Sequence, residues 1–353
     1  MISTAPSNIL RHDLDNILSR MEGQWEAFRN ESIFMTGGTG LFGRWLLESL
    51  LRANEQFELN LKITVLTRNP RAFRKEAPHL TQSPAIDFHI GDVRNFVFPA
   101  RRYTYLIHGA ATSAHETFQG EDPLRKFDTV VNGTRHTLDF AAQSGIKRLL
   151  FLSSGNVYGV PAAGMSTIPE DYSGAPSTTN VNSALAEAKR AAEFLTAYYA
   201  QKFGWEFVVA RCFSFVGPFM PLDIHYAIGN FIRQAQYDEC ITVSSDGTSV
   251  RSYLYMADLV VWLLTLQLRG RNGTVYNVGS DRPVFIMDLA RLVQSVVAPE
   301  KNVKVLGRTA DSIGNEHRKI YVPDISKARN ELQLDVWTDL NTAIRLTAAS
   351  LKR

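Results

Sequence analysis

Short apolar runs alternate along this chain with longer stretches whose apolar residues recur at helical spacing. The first run, Ile33-Phe34-Met35, enters a turn carrying Gly37, Gly38, Gly40 and Gly43, and a segment with Leu46, Leu47, Leu50 and Leu51 on one face leaves it. A strand, a glycine turn and a helix are therefore predicted in succession. Further strands are predicted over residues 61–67, 85–90, 105–111, 147–153 and 206–213, and helices over about 124–143 and 183–203. The run at 105–111 is apolar throughout, as a parallel strand covered on both faces must be. Pro70 interrupts the second strand. Strands alternating with helices at this spacing imply right-handed crossovers, so the expected fold class is α/β, a doubly wound parallel sheet.

The pattern also divides the chain. Residues 1–30 form a helical arm, with Leu10, Leu14, Ile17, Leu18, Met21 and Trp25 on one face. Residues 31–216 carry the sheet. Gly217-Pro218 and Pro221 mark a boundary, and the mixed short elements beyond it make 217–353 a smaller C-terminal lobe, from which about 256–278 can return to the sheet.

Composition narrows the class. Apolar residues are 45% and charged residues 21% of 353, as in a soluble enzyme, and a net charge of +3 supplies no sequence-wide field for nucleic acid. No stretch has the length of a membrane span, and the N-terminus lacks the basic-then-apolar order of a secretory signal. Cys212 and Cys240 read as buried thiols in a reducing compartment. A cytoplasmic protein with no nucleic-acid or membrane partner is expected, and no metal site is assigned.

Candidate chemistry begins at the glycine turn. Glycines permit dihedrals forbidden to other residues and let backbone N–H groups approach a pyrophosphate, while the helix beginning near Leu41 directs its positive end to the same place. Gly37, Gly40, Leu41, Phe42 and Gly43 are thus the expected cofactor contacts. Their position between a strand and a helix separates them from an ordinary tight turn.

With further motifs, the chain resembles the extended short-chain dehydrogenases, specifically the NAD(P)-dependent sugar-nucleotide epimerase/dehydratase family. In order these are Gly91-Asp92-Val93, His108-Gly109-Ala110-Ala111, Val131-Asn132-Gly133-Thr134, Leu152-Ser153-Ser154-Gly155-Asn156-Val157-Tyr158-Gly159, Ala188-Lys189-Arg190-Ala191-Ala192-Glu193, Ala210-Arg211, Val216-Gly217-Pro218, the stretch 251–259 and Tyr276-Asn277-Val278-Gly279. The resemblance implies a Rossmann sheet, a bound NAD or NADP and a nucleotide-diphosphate sugar that is transiently oxidised at one carbon. It implies that Asp92 accepts from the adenine amino group, Val93 packs on the ring, and Ala110 and Ala111 border the dinucleotide. Lys189 would bind the nicotinamide ribose and lower a neighbouring pKa, and Ser154 would hydrogen-bond the sugar hydroxyl. Arg251 would reach the substrate diphosphate, with Asn230 also in the substrate site, whereas Tyr158 reads as structural. Related proteins pair through the helices at 124–143 and 183–203, which implies a homodimer with a four-helix bundle.

Three departures shape the functional reading. The family's tyrosine, four residues before the lysine, is Leu185 here, so the expected proton acceptor is missing. A positioned acid–base group contributes about 10²–10⁴ in rate, and serine needs a base of its own. Leu185 is compatible with a disabled variant, with chemistry relocated to His115, Tyr172 or His225, or with a binding protein that has lost catalysis. Second, Gly155-Asn156 follows Ser154 where dehydratases carry Asp-Glu. This favours epimerase-like chemistry over 4,6-dehydration, with a dehydratase- or decarboxylase-like lyase as the alternative. Third, Thr67-Arg68 ends the second strand where an acidic residue would mark NAD preference, which tilts the choice toward NADP and leaves NAD open.

Overall fold

The computed structural model describes residues 8–112, 114–224, 226–307 and 319–351, with backbone alone at 8, 9, 114 and 115. In chain order the elements are α1 (Asn8–Arg20), β1 (Ser32–Thr36), α2 (Leu41–Gln56), β2 (Lys62–Thr67), α3 (Pro70–Glu76), α4 (Pro78–Gln82), β3 (Ile86–Ile90) and β4 (Tyr105–His108). There follow α5 (Ala114–Phe118), α6 (Pro123–Ser144), β5 (Arg148–Ser154), α7 (Ala184–Phe203), β6 (Glu206–Cys212), β7 (Phe215–Val216), α8 (Ala227–Tyr237), β8 (Cys240–Val243), β9 (Val250–Arg251) and β10 (Leu254–Tyr255). The remainder is α9 (Met256–Arg269), β11 (Thr274–Val278), β12 (Val284–Phe285), α10 (Ile286–Val297), β13 (Asn302–Val305), β14 (Ile320–Tyr321), α11 (Ser326–Leu332) and α12 (Leu340–Ser350).

Two compact units result, one made of Met1–Ser154, Thr178–Arg211 and Val260–Tyr276, the other of Gly155–Ser177, Cys212–Leu259 and Asn277–Arg353. The seven-stranded sheet has the order β11-β6-β5-β4-β1-β2-β3. Strands β3, β2, β1, β4 and β5 pair in parallel, and Thr36 stands in register with both Leu66 and His108. This is the doubly wound order, in which the chain reverses direction across the sheet beside β1 and opens a crevice at the strands' carboxyl ends.

Aromatic packing under α6 and α7 anchors the first unit. Phe34 lies 4.5 Å from Phe140, 5.2 Å from Tyr103 and 5.7 Å from Phe96, ring centre to ring centre. On α2, Trp45, Leu46, Leu47 and Leu50 are buried. Each such side chain contributes about 1.5–3 kcal/mol relative to exposure, which fixes the glycine turn between two packed elements.

Several local expectations shift. The arm is not one helix: α1 stops at Arg20, and Trp25 sits in a separate 3₁₀ turn, Trp25–Phe28, its indole N–H donating to the Leu18 carbonyl at 3.0 Å. The fourth strand ends at His108 rather than 111, because the Gly109 and Ala110 N–H groups donate to the carbonyl and hydroxyl oxygens of Thr36, each at 3.1 Å, and turn the chain across β1. Pro70 opens α3, where its missing N–H costs nothing, and the Asn69 side chain caps that helix by accepting from Ala72 N–H at 3.1 Å.

Among the described residues, the second unit holds three small sheets, β12-β9-β14, β10-β7 and β13-β8. Its helices α8, α10 and α12 pack together. The buried Asp258 carboxylate accepts from the backbone N–H of Trp337 and Thr338 and from the Thr338 hydroxyl, at 3.1, 2.8 and 3.1 Å.

Candidate active site

The glycine turn after β1 is held by contacts no side chain would allow. Gly37 has φ +76°, and a Cβ there would meet the Gly109 carbonyl carbon at 2.7 Å. A Cβ at Gly43 would lie 2.3 Å from the Gly38 Cα, so α2 can dock on the turn only with glycine there. Gly40, the N-cap of α2, differs: its Cβ position has the Gly37 carbonyl oxygen at 3.4 Å as its nearest neighbour. Gly40 has no side chain with which to cap α2. Leu41, Phe42 and Gly43 form its first turn, so the end of the helix dipole faces the cradle that a Cβ on Gly40 would begin to fill. The residues present fit a diphosphate.

Around this cradle the polar groups are satisfied in ways the sequence did not disclose. Asp92 follows β3, and its carboxylate accepts from Arg94 Nε at 2.8 Å, Arg94 Nη2 at 2.9 Å and Arg94 backbone N–H at 3.0 Å. The guanidinium holds its carboxyl down at about 2. Asp92 is therefore ionised and paired with Arg94, and its carboxylate remains an acceptor for the adenine amino group expected there. Arg68, past the end of β2, is 3.3 Å from Glu116 on α5. His108 is fully enclosed, with Nδ1 2.7 Å from the Thr36 hydroxyl and Nε2 2.9 Å from the Thr134 hydroxyl. Burial, with Lys189 adding repulsion, pushes its pKa down to about 3, so it stays neutral and ties β1, β4 and α6 together.

The residues expected to carry redox chemistry lie on β5 and α7. Ser154 is the last residue of β5 and half-buried. Lys189 is buried, donates from Nζ to the Leu152 carbonyl at 2.7 Å, and stands 4.7 Å from the centre of the Phe151 ring. One helical turn earlier, half-buried Leu185 packs against the same core cluster as Val93 and Ala111. One turn later, Glu193 accepts from the Ser153 hydroxyl and from Arg211 Nε and Nη2, the latter two at 3.1 and 2.7 Å. Lys189 and Glu193 thus attach one face of α7 to β5 and β6, which fixes the height of position 185 on that face. Sequence reading missed Glu116, Arg94 and the Thr36–His108–Thr134 chain. A histidine inside an apolar strand was the available signal for the last.

The second unit contains the other candidates. Arg251, on β9, donates from Nη1 to the carbonyls of Val250 and Lys319 at 2.8 and 3.3 Å. Asn230, on the first turn of α8, donates to the Ile224 carbonyl at 2.7 Å. Tyr158 is buried and donates to Asn277 Oδ1 at 2.7 Å, a structural role. Tyr172 donates to the Val160 carbonyl at 3.1 Å. His225 and the His115 side chain lie outside the described residues. Among the described residues, no group of three or more His, Cys, Asp or Glu converges to hold a metal, and no helix is long and apolar enough to cross a membrane.

Comparison with known proteins supplies a family. Residues 33–279 match the NAD dependent epimerase/dehydratase family. The chain is 32% identical over 303 residues to UDP-glucuronic acid decarboxylase 6 of Arabidopsis thaliana, covering 86% of this chain and 83% of that protein. Among solved structures it is similar to UDP-N-acetylglucosamine 4-epimerase from Methanobrevibacter ruminantium M1 in complex with UDP-N-acetylmuramic acid, with TM-score 0.78, 19% identity and coverage of 92% and 99%. It is similar also to UDP-glucuronic acid 4-epimerase from Bacillus cereus in complex with UDP-glucuronic acid and NAD, with TM-score 0.76, 21% identity and coverage of 91% and 99%. At these identities the two structural likenesses speak for the fold.

Proposed function

Since this chain belongs to the NAD dependent epimerase/dehydratase family, we propose that it binds a nicotinamide dinucleotide on the β1–α2 turn and acts on a nucleotide-diphosphate sugar by epimerase-like transient oxidation. The observation that carries this reading is the glycine-capped α2 N-terminus above a turn closed to any side chain at Gly37 and Gly43. Bound there, the dinucleotide supplies an electron-pair acceptor for a sugar carbinol. Backbone amides of the turn would hold its diphosphate and Val93 its adenine, with Ala110 and Ala111 beside it. Lys189, fixed by the Leu152 carbonyl, would meet the ribose hydroxyls, and Ser154 would orient the sugar hydroxyl to be oxidised. Arg251 and Asn230 are proposed for the sugar nucleotide, Arg251 for its diphosphate. With leucine at 185, the hydroxyl proton has no phenolic acceptor beside Lys189, so the redox step is slow.

A second reading, decarboxylation of a UDP-uronic acid, is favoured by the Arabidopsis relative. Both are tested by incubating the protein with UDP-glucuronic acid, UDP-glucose and UDP-N-acetylglucosamine, and resolving inverted from decarboxylated product by NMR. Calorimetric binding of coenzyme and sugar nucleotide without turnover would instead assign a binding protein.

Coenzyme preference follows from the rim of the cradle. Arg68 favours the 2′-phosphate of NADP, and its ion pair with Glu116 offsets part of that attraction. A cytoplasmic homodimer completes the proposal. On α7, Phe194 and Tyr198 are 68% and 50% exposed and stack on each other with ring centres 6.4 Å apart, an apolar stripe suited to a second copy of α6 and α7.

A further inference from the structure

The pair Arg68–Glu116 carries more than a contribution to local charge. Arg68 leaves the sheet just past β2, and Glu116 lies on α5, the first helix after β4. Strand β1 runs between β2 and β4, so its glycine turn opens between those two exits. Arg68 Nη1 reaches Glu116 Oε1 at 3.3 Å. The ion pair therefore joins the end of β2 to the helix that follows β4, the two strands that flank β1 in the sheet.

Exposure separates the two partners. The Glu116 side chain is 28% exposed and the Arg68 side chain 58%, so the carboxylate is the anchored post and the guanidinium the arm with room to turn. Arg94 is committed to Asp92 through three donors. Arg68 is paired instead with a carboxylate on α5. A planar, permanently charged fork binds either a carboxylate or a phosphate well, and a geometry that serves one withdraws it from the other.

We infer that Glu116 is a specificity-determining residue for the dinucleotide: by pairing with Arg68 at the end of β2 it withholds the guanidinium from a ribose 2′-phosphate, and so admits NAD where Arg68 alone would select NADP. Glu116 acts through Arg68 and is a positioning residue. The inference rests on the dinucleotide reading of the site.

Its test is the ratio of dissociation constants for NAD⁺ and NADP⁺, measured by calorimetry on the full chain as wild type, Glu116→Gln, Arg68→Gln and the double variant. A ratio is unaffected by loss of folded protein. Glu116→Gln should move the preference toward NADP⁺ by about fivefold, the scale of one partly exposed ion pair. Arg68→Gln should move it the other way, and the double variant should match Arg68→Gln. An unchanged ratio in Glu116→Gln, or a double variant that keeps the Glu116→Gln shift, overturns the inference and leaves dinucleotide binding standing. Failure of wild-type protein to bind either coenzyme overturns the reading of the site, and the inference with it.

Discussion

Leu185→Tyr should raise sugar-nucleotide turnover. Position 185 lies one helical turn from Lys189 on α7, where side chains four residues apart have Cβ atoms about 5–6 Å from each other. The backbone there is fixed by the Lys189 bond to the Leu152 carbonyl at 2.7 Å and by the Glu193–Arg211 pair at 2.7 Å, so a phenol would enter a positioned site. Leu185 is half-buried at the edge of its cluster, and the larger phenol ring there costs about 1–3 kcal/mol of stability. Against that stands a positioned base, about 10²–10⁴ in rate, or about 2.7–5.5 kcal/mol of barrier. The assay follows product from UDP-glucuronic acid, UDP-glucose and UDP-N-acetylglucosamine together with nicotinamide absorbance in a single turnover. Leu185→Phe serves as the control of equal size without the hydroxyl. The tyrosine variant should exceed both wild type and the phenylalanine variant, and its rate should climb with pH as the phenol ionises. Equal rates for the two aromatic variants, with coenzyme and sugar nucleotide both shown to be bound, would refute the claim that a missing proton acceptor limits this site.

Three further outcomes follow from the same geometry. Gly37→Ala places a Cβ 2.7 Å from the Gly109 carbonyl carbon at φ +76°. It should destabilise the fold by at least about 1–3 kcal/mol and abolish coenzyme binding, read by chemical denaturation and calorimetry. His108 has its folded pKa at about 3, below the ordinary 6.5, so the unfolded chain takes up its proton first. Stability present above pH 6.5 is therefore lost as pH falls toward 3, by up to about 1.4 kcal/mol per pH unit, and denaturation curves for His108→Gln should show a shallower acid dependence. Light scattering should report a dimer, and Phe194→Glu combined with Tyr198→Glu a monomer; a dimer in that variant would remove the α7 stripe from the interface.

The legible parts of the fold were those written in local spacing. The strand–turn–helix around Gly37, the period of α6 and the alanine-rich α7 each follow from residues near one another in sequence. Local spacing carried the fold class for the same reason, since crossover handedness leaves few ways to place such units. What stayed hidden depends on strand order. Arg68 and Glu116 are 48 positions apart and meet because the strand order places β2 and β4 on either side of β1. The chelation of Asp92 by Arg94 was hidden differently: the two are close in sequence, but an Asp at a strand end has several uses, and only the position of the guanidinium selects among them. The break between Arg20 and Trp25 was missed because an apolar face continues across it.

Binding and chemistry at this site rest on different kinds of structure. The cradle is made of backbone: Gly37 against the Gly109 carbonyl, Gly43 against Gly38, and the helix end beyond Gly40. Such a device is held by the packing of β1, α2 and β4. In the proposed chemistry, proton transfer would depend instead on one side chain at one height on one helix, and leucine stands at that position beside the Lys189–Leu152 and Glu193–Arg211 contacts. A chain of this design can lose most of its redox rate and keep its affinity for both ligands. Affinity and turnover must therefore be measured separately, because tight coenzyme binding alone says nothing about the state of position 185. The Leu185→Tyr variant asks whether everything around that position is still in place.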